Sequence, residues 1–298
     1  MKSPPFDYRD PHTLDEALFF LFQYGDDAKV LAGGQSLVPL MNFRLARPAV
    51  VVDINQIHEL SYILENEEEV RIGAMTRQSN VETDEGVKRN YPLLPCAIAQ
   101  IAHSAIRNRG TVGGSLAHAD PAAELAAVTL CADAEIKIRS RDEVRWVSSR
   151  DFFQGPYTTS LEPTEILEEV KFLKPSGTAE TVFLEFSRRQ GDFALVGVAA
   201  MLETNEDNSC RQARIALCGA GSVPYRAAAV ERVLMGERLT LKIIKDAVSV
   251  VTEGLESYSD VHASSGYREH LARVLTYRAL EMLIESAEKQ TRTEKSES

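Results

Sequence analysis

Two short glycine-bearing runs hold the residue types from which an anion site is built. In Leu31-Ala32-Gly33-Gly34-Gln35-Ser36-Leu37 a strand candidate ends in paired glycines followed by a hydroxyl. Paired glycines let backbone N–H groups turn inward with no Cβ in the way, so they can close on phosphate oxygens while Ser36 adds a donor. A plain glycine turn after a strand has the same composition, and this run alone leaves both readings open. It is not a Walker loop, since no Gly-Lys-Ser/Thr follows, nor a Rossmann fingerprint, since the GxGxxG spacing is absent. Eighty positions later Arg109-Gly110-Thr111-Val112-Gly113-Gly114-Ser115-Leu116 brings the same chemistry with different flanks, so these are two independent loops and not an internal repeat. Two loops can grip one ligand. A dinucleotide with its central pyrophosphate most needs donors from both sides, and Thr111 and Ser115 supply neutral ones that cost less to desolvate than lysines.

Other constellations are blander. His118-Ala119-Asp120 offers two metal ligands without a third nearby, and Ser115, His118 and Asp120 lie on one short run with no GxSxG elbow. Cys96, Cys131, Cys210 and Cys218 form no CxxC pair, so they read as core thiols of a reducing compartment rather than as cluster, zinc or disulfide partners. His58 and His103 read as surface or packed residues, Trp146 as core or subunit contact. No catalytic side chain and no metal site are expected. Across 298 residues, 44 acidic against 33 basic side chains leave a net charge of −11 and no basic block that could track a phosphate backbone, which argues against nucleic acid. A hydrophobic share of 44% with 26% charged residues is that of a folded globular chain. No signal-peptide run opens the sequence and no stretch approaches the roughly 18 apolar residues of a membrane span, so a cytoplasmic protein without membrane insertion is expected.

Strands and helices must position these loops. Thr13-Leu14-Asp15-Glu16 has the form of a capping box, and the apolar spacing predicts a helix over 14–24 that Gly25 stops. Strands are predicted over 29–32 and 49–54, hairpins over 62–73 and 134–147, and a further strand over 166–172. Helical spacing runs over 91–102, and 121–131 reads as a helix with Pro121 in its first turn and Glu124 near its positive end. Residues 104–119, polar and glycine-bearing without a sustained period, read as a functional loop. Pro175-Ser176-Gly177 reads as a domain boundary. Beyond it, strands over 181–186, 194–202 and 213–218 precede helical periods over 226–234, 241–255 and 268–286, the pattern of a separate α+β unit. The charged end is read as a frayed tail.

Three runs together carry a family resemblance. Ala32-Gly33-Gly34-Gln35-Ser36-Leu37, then the stretch from Ile106-Arg107-Asn108-Arg109 through Ala119-Asp120-Pro121-Ala122-Ala123-Glu124, then Arg188-Arg189-Gln190-Gly191-Asp192-Phe193-Ala194 resemble, in order, the FAD-binding medium subunit of molybdenum hydroxylases. Aerobic carbon monoxide dehydrogenase, xanthine dehydrogenase and bacterial N-heteroaromatic hydroxylases belong to that family, and the resemblance extends to about residue 286. It implies an α+β fold: a two-subdomain FAD-binding domain of the vanillyl-alcohol-oxidase type over 1–176 (subdomains about 1–56 and 57–176), then a smaller C-terminal α+β domain over 177–286 with a three-stranded sheet plus helices, and the tail 287–298. By this likeness Ala32, Gly33, Gly34, Gln35, Ser36 and Leu37 cradle the pyrophosphate with Thr111, Gly113, Gly114 and Ser115. Ile101 and Ala102 approach the cofactor by main chain, Glu124 reaches the ribityl chain with Asp120 and His118 nearby, Leu161 lies near the flavin ring, and Phe193 packs beside it. Many relatives carry tyrosine where this chain has Phe193, some carry a lysine near Leu184 or Glu185, and a cysteine-rich insertion of some relatives is missing.

The function implied is that of an FAD-carrying electron-transfer subunit. Electrons would come from [2Fe-2S] clusters on a small partner subunit, hydroxylation would occur at the molybdenum cofactor of a large partner subunit, and the assembly would be a dimer of heterotrimers. The isoalloxazine carries such chemistry, so no side chain is needed as nucleophile or acid–base catalyst. A self-sufficient flavin oxidase or reductase of the same fold and a non-redox assembly scaffold are the alternatives.

Overall fold

The computed structural model describes residues 2–175 and 179–297, with side chains described through Ala287. Strand β1 (Asp7–Arg9), helix α1 (Leu14–Tyr24), strand β2 (Ala28–Leu31), helix α2 (Leu37–Asn42) and strand β3 (Val50–Asp53) open the chain. The strands form a parallel sheet in the order β1-β3-β2. Val50, Val51 and Val52 are all buried, as a central parallel strand covered on both faces requires. The Thr13 hydroxyl accepts from the Glu16 N–H at 3.2 Å and starts α1, which buries Leu14, Ala17, Leu18 and Leu21 and ends at Gly25, φ 50°.

The middle of the chain runs β4 (Ile63–Glu65), β5 (Glu69–Gly73), α3 (Gln78–Thr83), α4 (Glu85–Asn90), α5 (Leu93–Ile98), α6 (Ser104–Arg107), α7 (Val112–His118), α8 (Glu124–Cys131), β6 (Glu135–Arg139), β7 (Val144–Ser148), α9 (Ser149–Phe152), β8 (Phe153–Gly155), β9 (Thr158–Thr159) and β10 (Ile166–Leu173). Five of these strands form an antiparallel sheet, β4-β5-β10-β6-β7, whose buried face packs on the helices between β5 and β6. The expected loop over 104–119 is instead helical in two pieces, α6 and α7. Its glycines permit close approach and do not break the helix: a Cβ on Gly113 would sit 2.5 Å from that of Ala74, and the Thr111 hydroxyl caps α7 by accepting from the Gly114 N–H at 3.1 Å. Helix α8 starts at Glu124, three residues later than expected, because the Asp120 carboxylate accepts from the Ala122 N–H at 2.9 Å and holds Pro121 in a turn. Trp146 lies on the sheet surface under the Lys171 ammonium, 4.7 Å from the ring centre, outside the core.

The expected boundary at Pro175-Ser176-Gly177 falls mostly outside the described residues. Next come β11 (Ala179–Ser187), β12 (Ala194–Thr204), β13 (Cys210–Cys218), β14 (Tyr225–Arg226), α10 (Ala228–Leu234), α11 (Leu241–Ser249) and α12 (Ser265–Glu297). The sheet has four strands, β11-β12-β13-β14, where three were expected; β14 is a two-residue strand, too short to show in a hydropathy pattern. Helix α12 continues through the segment expected to fray. One face of the sheet buries Val196, Val198, Ala200, Ile215 and Leu217 against α10, α11 and α12, while Phe183, Ala199, Met201, Ala216 and Cys218 on the other face join the core beneath α5 and α8.

Arg226 ties the two parts together. Its guanidinium donates to the Leu130 and Cys131 carbonyls at 2.6 and 3.2 Å and pairs with Asp133 and Glu231. A cation at the C-terminus of α8 thus satisfies carbonyls that the helix leaves open. Replacing it leaves the Leu130 and Cys131 carbonyls without their side-chain donor and takes from the half-buried Asp133 and Glu231 carboxylates their shared cation. Arg226→Ala should lower stability by about 3 kcal/mol in urea unfolding, and Arg226→Lys should recover only part of this because an ammonium cannot fork.

Candidate functional site

The two glycine loops meet backbone to backbone. A Cβ built on Gly33 would lie 2.4 Å from the Arg109 carbonyl oxygen and 2.8 Å from the Gly110 Cα, and one on Gly114 would lie 3.4 Å from the Ala32 Cβ. In the first loop Gly34 takes φ 74°, the Gln35 side-chain amide donates to the Gly33 carbonyl at 2.9 Å, and Leu37 begins α2. The backbone N–H groups of Gly34, Gln35 and Ser36 meet no acceptor among the described residues. In the second loop the Thr111, Gly113 and Ser115 backbones belong to α7 and its cap. Successive free donors beside a glycine cleft fit the phosphates of a dinucleotide, which need N–H groups and close approach rather than bulk.

A polar strut that the motifs did not show locks the loops together. Asn55, just past β3, donates to the Ala32 carbonyl at 2.8 Å and accepts from Arg77 at 2.6 Å. Arg77 also donates to the Arg109 carbonyl at 2.5 Å, while the Gln78 N–H donates to the Gly110 carbonyl at 2.9 Å. Burial and the nearby Arg109 guanidinium pull the Arg77 pKa below its ordinary value. Neither Asn55 nor Arg77 lies in a glycine motif, so only their placement in the fold marks them.

The remaining candidates form a second group. Ile101 and Leu161 are partly buried against the core beneath α7 and α8. Ala102 adopts φ 41°, and a Cβ on Gly191 would lie 3.2 Å from its carbonyl oxygen and 2.5 Å from the His103 ring, so the β11–β12 connection rests on this turn. That connection carries Phe193, whose ring is 74% exposed. His118 ends α7 and packs on Tyr157 with ring centres 5.2 Å apart; burial lowers its pKa, with Asp120 opposing. The Asp120 carboxylate, besides holding its turn, accepts from the Tyr157 hydroxyl at 3.4 Å.

Glu124 is the deepest of these groups. Burial, then the Glu185 and Asp120 carboxylates, push its pKa from an ordinary 4.5 up to about 8, and burial raises Glu185 to about 7. Glu185 lies in register with Gly197, and Gly197 with Cys218, on the sheet face turned toward α8. Glycine in the middle of that row leaves no side chain between the carboxyl and the thiol, and a Cβ there would meet the Cys218 sulfur at 2.7 Å. A buried neutral carboxyl is both donor and acceptor, which suits a polyol.

Known proteins resemble this chain along nearly its whole length. The family model described as "FAD binding domain in molybdopterin dehydrogenase" matches residues 4–173, and "CO dehydrogenase flavoprotein C-terminal domain" matches 181–283. The chain belongs to this family. It binds FAD as an oxidoreductase component, and it is 39% identical to the 6-hydroxypseudooxynicotine dehydrogenase complex subunit alpha of Paenarthrobacter nicotinovorans, over 96% of this chain and 97% of that one. Quinoline 2-oxidoreductase from Pseudomonas putida 86 superposes with a TM-score of 0.90 at 40% identity, covering 96% of this chain and 99% of the other. Carbon monoxide dehydrogenase from Hydrogenophaga pseudoflava superposes at 0.92 with 33% identity, covering 95% and 98%.

Two measurements probe the site of this flavoprotein. Gly33→Ala forces the loops apart and should weaken FAD retention about tenfold or more in an otherwise folded chain, whereas Gly266→Ala, with open space around it, should leave retention unchanged. The raised Glu124 pKa makes the folded state bind its proton more tightly than the unfolded state. Its stabilising share is therefore fully present below about pH 4.5 and lost as pH rises through about 8. Melting of the FAD-free chain across that window should fall more steeply for the parent than for Glu124→Gln.

Proposed function

We propose that this chain is the FAD-carrying electron-transfer subunit of a molybdenum hydroxylase, receiving electrons from the iron–sulfur clusters of a small partner subunit and passing them to an external acceptor. The observation that carries the reading is the contact of Gly33 with Arg109 and Gly110, which turns two separate glycine loops into one cleft lined with free backbone donors. In this reading Ala32 to Leu37 and Thr111 to Ser115 hold the pyrophosphate, and the Asn55–Arg77 strut keeps the cleft at its width. Glu124, with His118 and Asp120 beside it, holds ribityl hydroxyls; the Ile101 and Ala102 backbone and the Leu161 and Phe193 side chains border the ring. Bound FAD supplies the one- and two-electron chemistry that connects clusters to acceptor.

The residues then bind and orient. Phe193 offers an aromatic surface with no phenol to hydrogen-bond, and neither Leu184 nor Glu185 brings a basic group to this strand. The same reading makes the N-terminal part a two-subdomain flavin fold of the vanillyl-alcohol-oxidase type, closed by the C-terminal domain after about residue 176. It also places the chain in a dimer of heterotrimers with the small iron–sulfur and large molybdenum subunits, in the cytoplasm. Support comes from relatives named as a "subunit alpha" and as a "medium chain".

The purified chain should be yellow, with one FAD released per chain on heating. Alone it should hydroxylate no heteroaromatic, aldehyde or carbon monoxide substrate, and co-expression with its partners should allow substrate to bleach the flavin. Full turnover by the isolated, metal-free chain would point to a self-sufficient oxidase, and a colourless but assembly-competent chain to a scaffold.

A further inference from the structure

The turn at Ile101–His103 is held by a charged pair that takes no part in either glycine loop. Arg107 forks onto Glu82, Nε to Oε2 at 2.8 Å and Nη2 to Oε1 at 3.1 Å, with both side chains mostly buried. Its remaining nitrogen, Nη1, donates to two consecutive carbonyls, Ile101 at 3.0 Å and Ala102 at 3.4 Å. A trans peptide points its C=O and N–H in opposite directions. Turning these two carbonyls toward Arg107 therefore turns the Ala102 and His103 N–H groups away from it, and neither meets an acceptor among the described residues. Ala102 pays for this arrangement with φ 41°, a left-handed value that a residue with a Cβ keeps only where its surroundings impose it. Two consecutive N–H groups around a left-handed residue make a small concave donor site.

We propose that the Glu82–Arg107 pair is a positioning device that keeps the Ala102 and His103 amides aimed as a two-donor nest for a carbonyl or anionic edge of the bound flavin. The inference rests on the reading that this turn borders FAD. The pair also reaches further. Helix α3 begins after Arg77, which fastens the glycine loops, and carries Glu82 near its other end, so one six-residue helix sets both the pyrophosphate cleft and the turn. The turn in turn seats Gly191, whose loop bears Phe193.

The test compares the full-length chain with Arg107→Gln, Arg107→Lys, Glu82→Gln and the exchanged double variant Glu82→Arg/Arg107→Glu, reading FAD affinity of the apoprotein, the flavin absorption bands and the melting temperature. Arg107→Gln should weaken FAD binding about tenfold, in line with losing charge-assisted hydrogen bonds, and shift the visible bands. Arg107→Lys should recover most of both, because an ammonium still donates to the carbonyls. The exchange discriminates: it rebuilds the ion pair and should restore the melting temperature, yet a carboxylate at position 107 cannot donate to a carbonyl, so FAD affinity and spectrum should stay altered. Should Arg107→Gln fail to fold, Glu82→Gln serves, with a smaller loss and the same band shift expected. An exchanged variant, or a folded Arg107→Gln or Glu82→Gln, that binds FAD with parental affinity and spectrum would overturn the proposal. A parent chain that takes up no FAD would instead overturn the flavoprotein reading beneath it.

Discussion

The approach of Gly33 to the Arg109–Gly110 backbone is the contact on which the rest of the molecule is arranged. Two main chains can come this close only where no Cβ intervenes, and each side of the contact belongs to a different sheet layer. The first loop is fixed by the small parallel sheet, through β2 and α2; the second is fixed by the antiparallel sheet, through the bonds of Val112 and Gly113 to Thr76 and Ala74. Buried polar groups between the layers must be paired, and Asn55 and Arg77 do this while satisfying the Ala32 and Arg109 carbonyls. Loops cross-linked in this way have less conformational freedom left to lose, which limits the ordering cost of binding.

The second constraint is the shared core between the N-terminal helices and the C-terminal sheet. Residues Phe183, Ala199, Met201, Ala216 and Cys218 bury one sheet face on α5 and α8, so the two parts form one packed surface. That packing also removes water from Glu124 and crowds it with Glu185. The cost of burying a carboxylate is met by holding the proton, which converts an acceptor-only group into one that also donates. Folding thus sets the chemical character of the Glu124 carboxyl as well as its position.

A flavoprotein that relays electrons asks little acid–base chemistry of its side chains and much of its backbone. The positive-φ residues Gly34, Ala102, Ala119 and Tyr157 all lie around the candidate site, each at a turn where a carbonyl or amide is aimed. Such positions cost conformational free energy and persist where neighbouring groups over-determine them, as the Tyr157 N–H does by donating to the Ala119 carbonyl at 2.9 Å.

Local order was legible in the residues themselves. Apolar periodicity marked α1, the valine run marked β3, the turn residues Asn66-Glu67 marked the hairpin β4–β5 and alternation marked β6–β7, because each depends on contacts within a few positions. The glycine pairs and their hydroxyls likewise marked a candidate anion site, while the first run by itself left a plain glycine turn open. The helical form of the α6–α7 pair was not legible, since its helices are short and its Gly113 serves packing against Ala74, and β14 was hidden by its length. Asn55, Arg77, Glu82 and Glu185 carry no local signature. Each acts on a partner from another element, at separations from 22 to 61 positions, so its role exists only when the chain has folded. Sequence by itself determined which groups could hold an anion, since donor chemistry and Cβ-free approach are properties of single residues and their neighbours. The tertiary structure decided which of them meet, because the strut, the buried carboxyl and the Arg107 fork depend on distances that only packing of the layers sets.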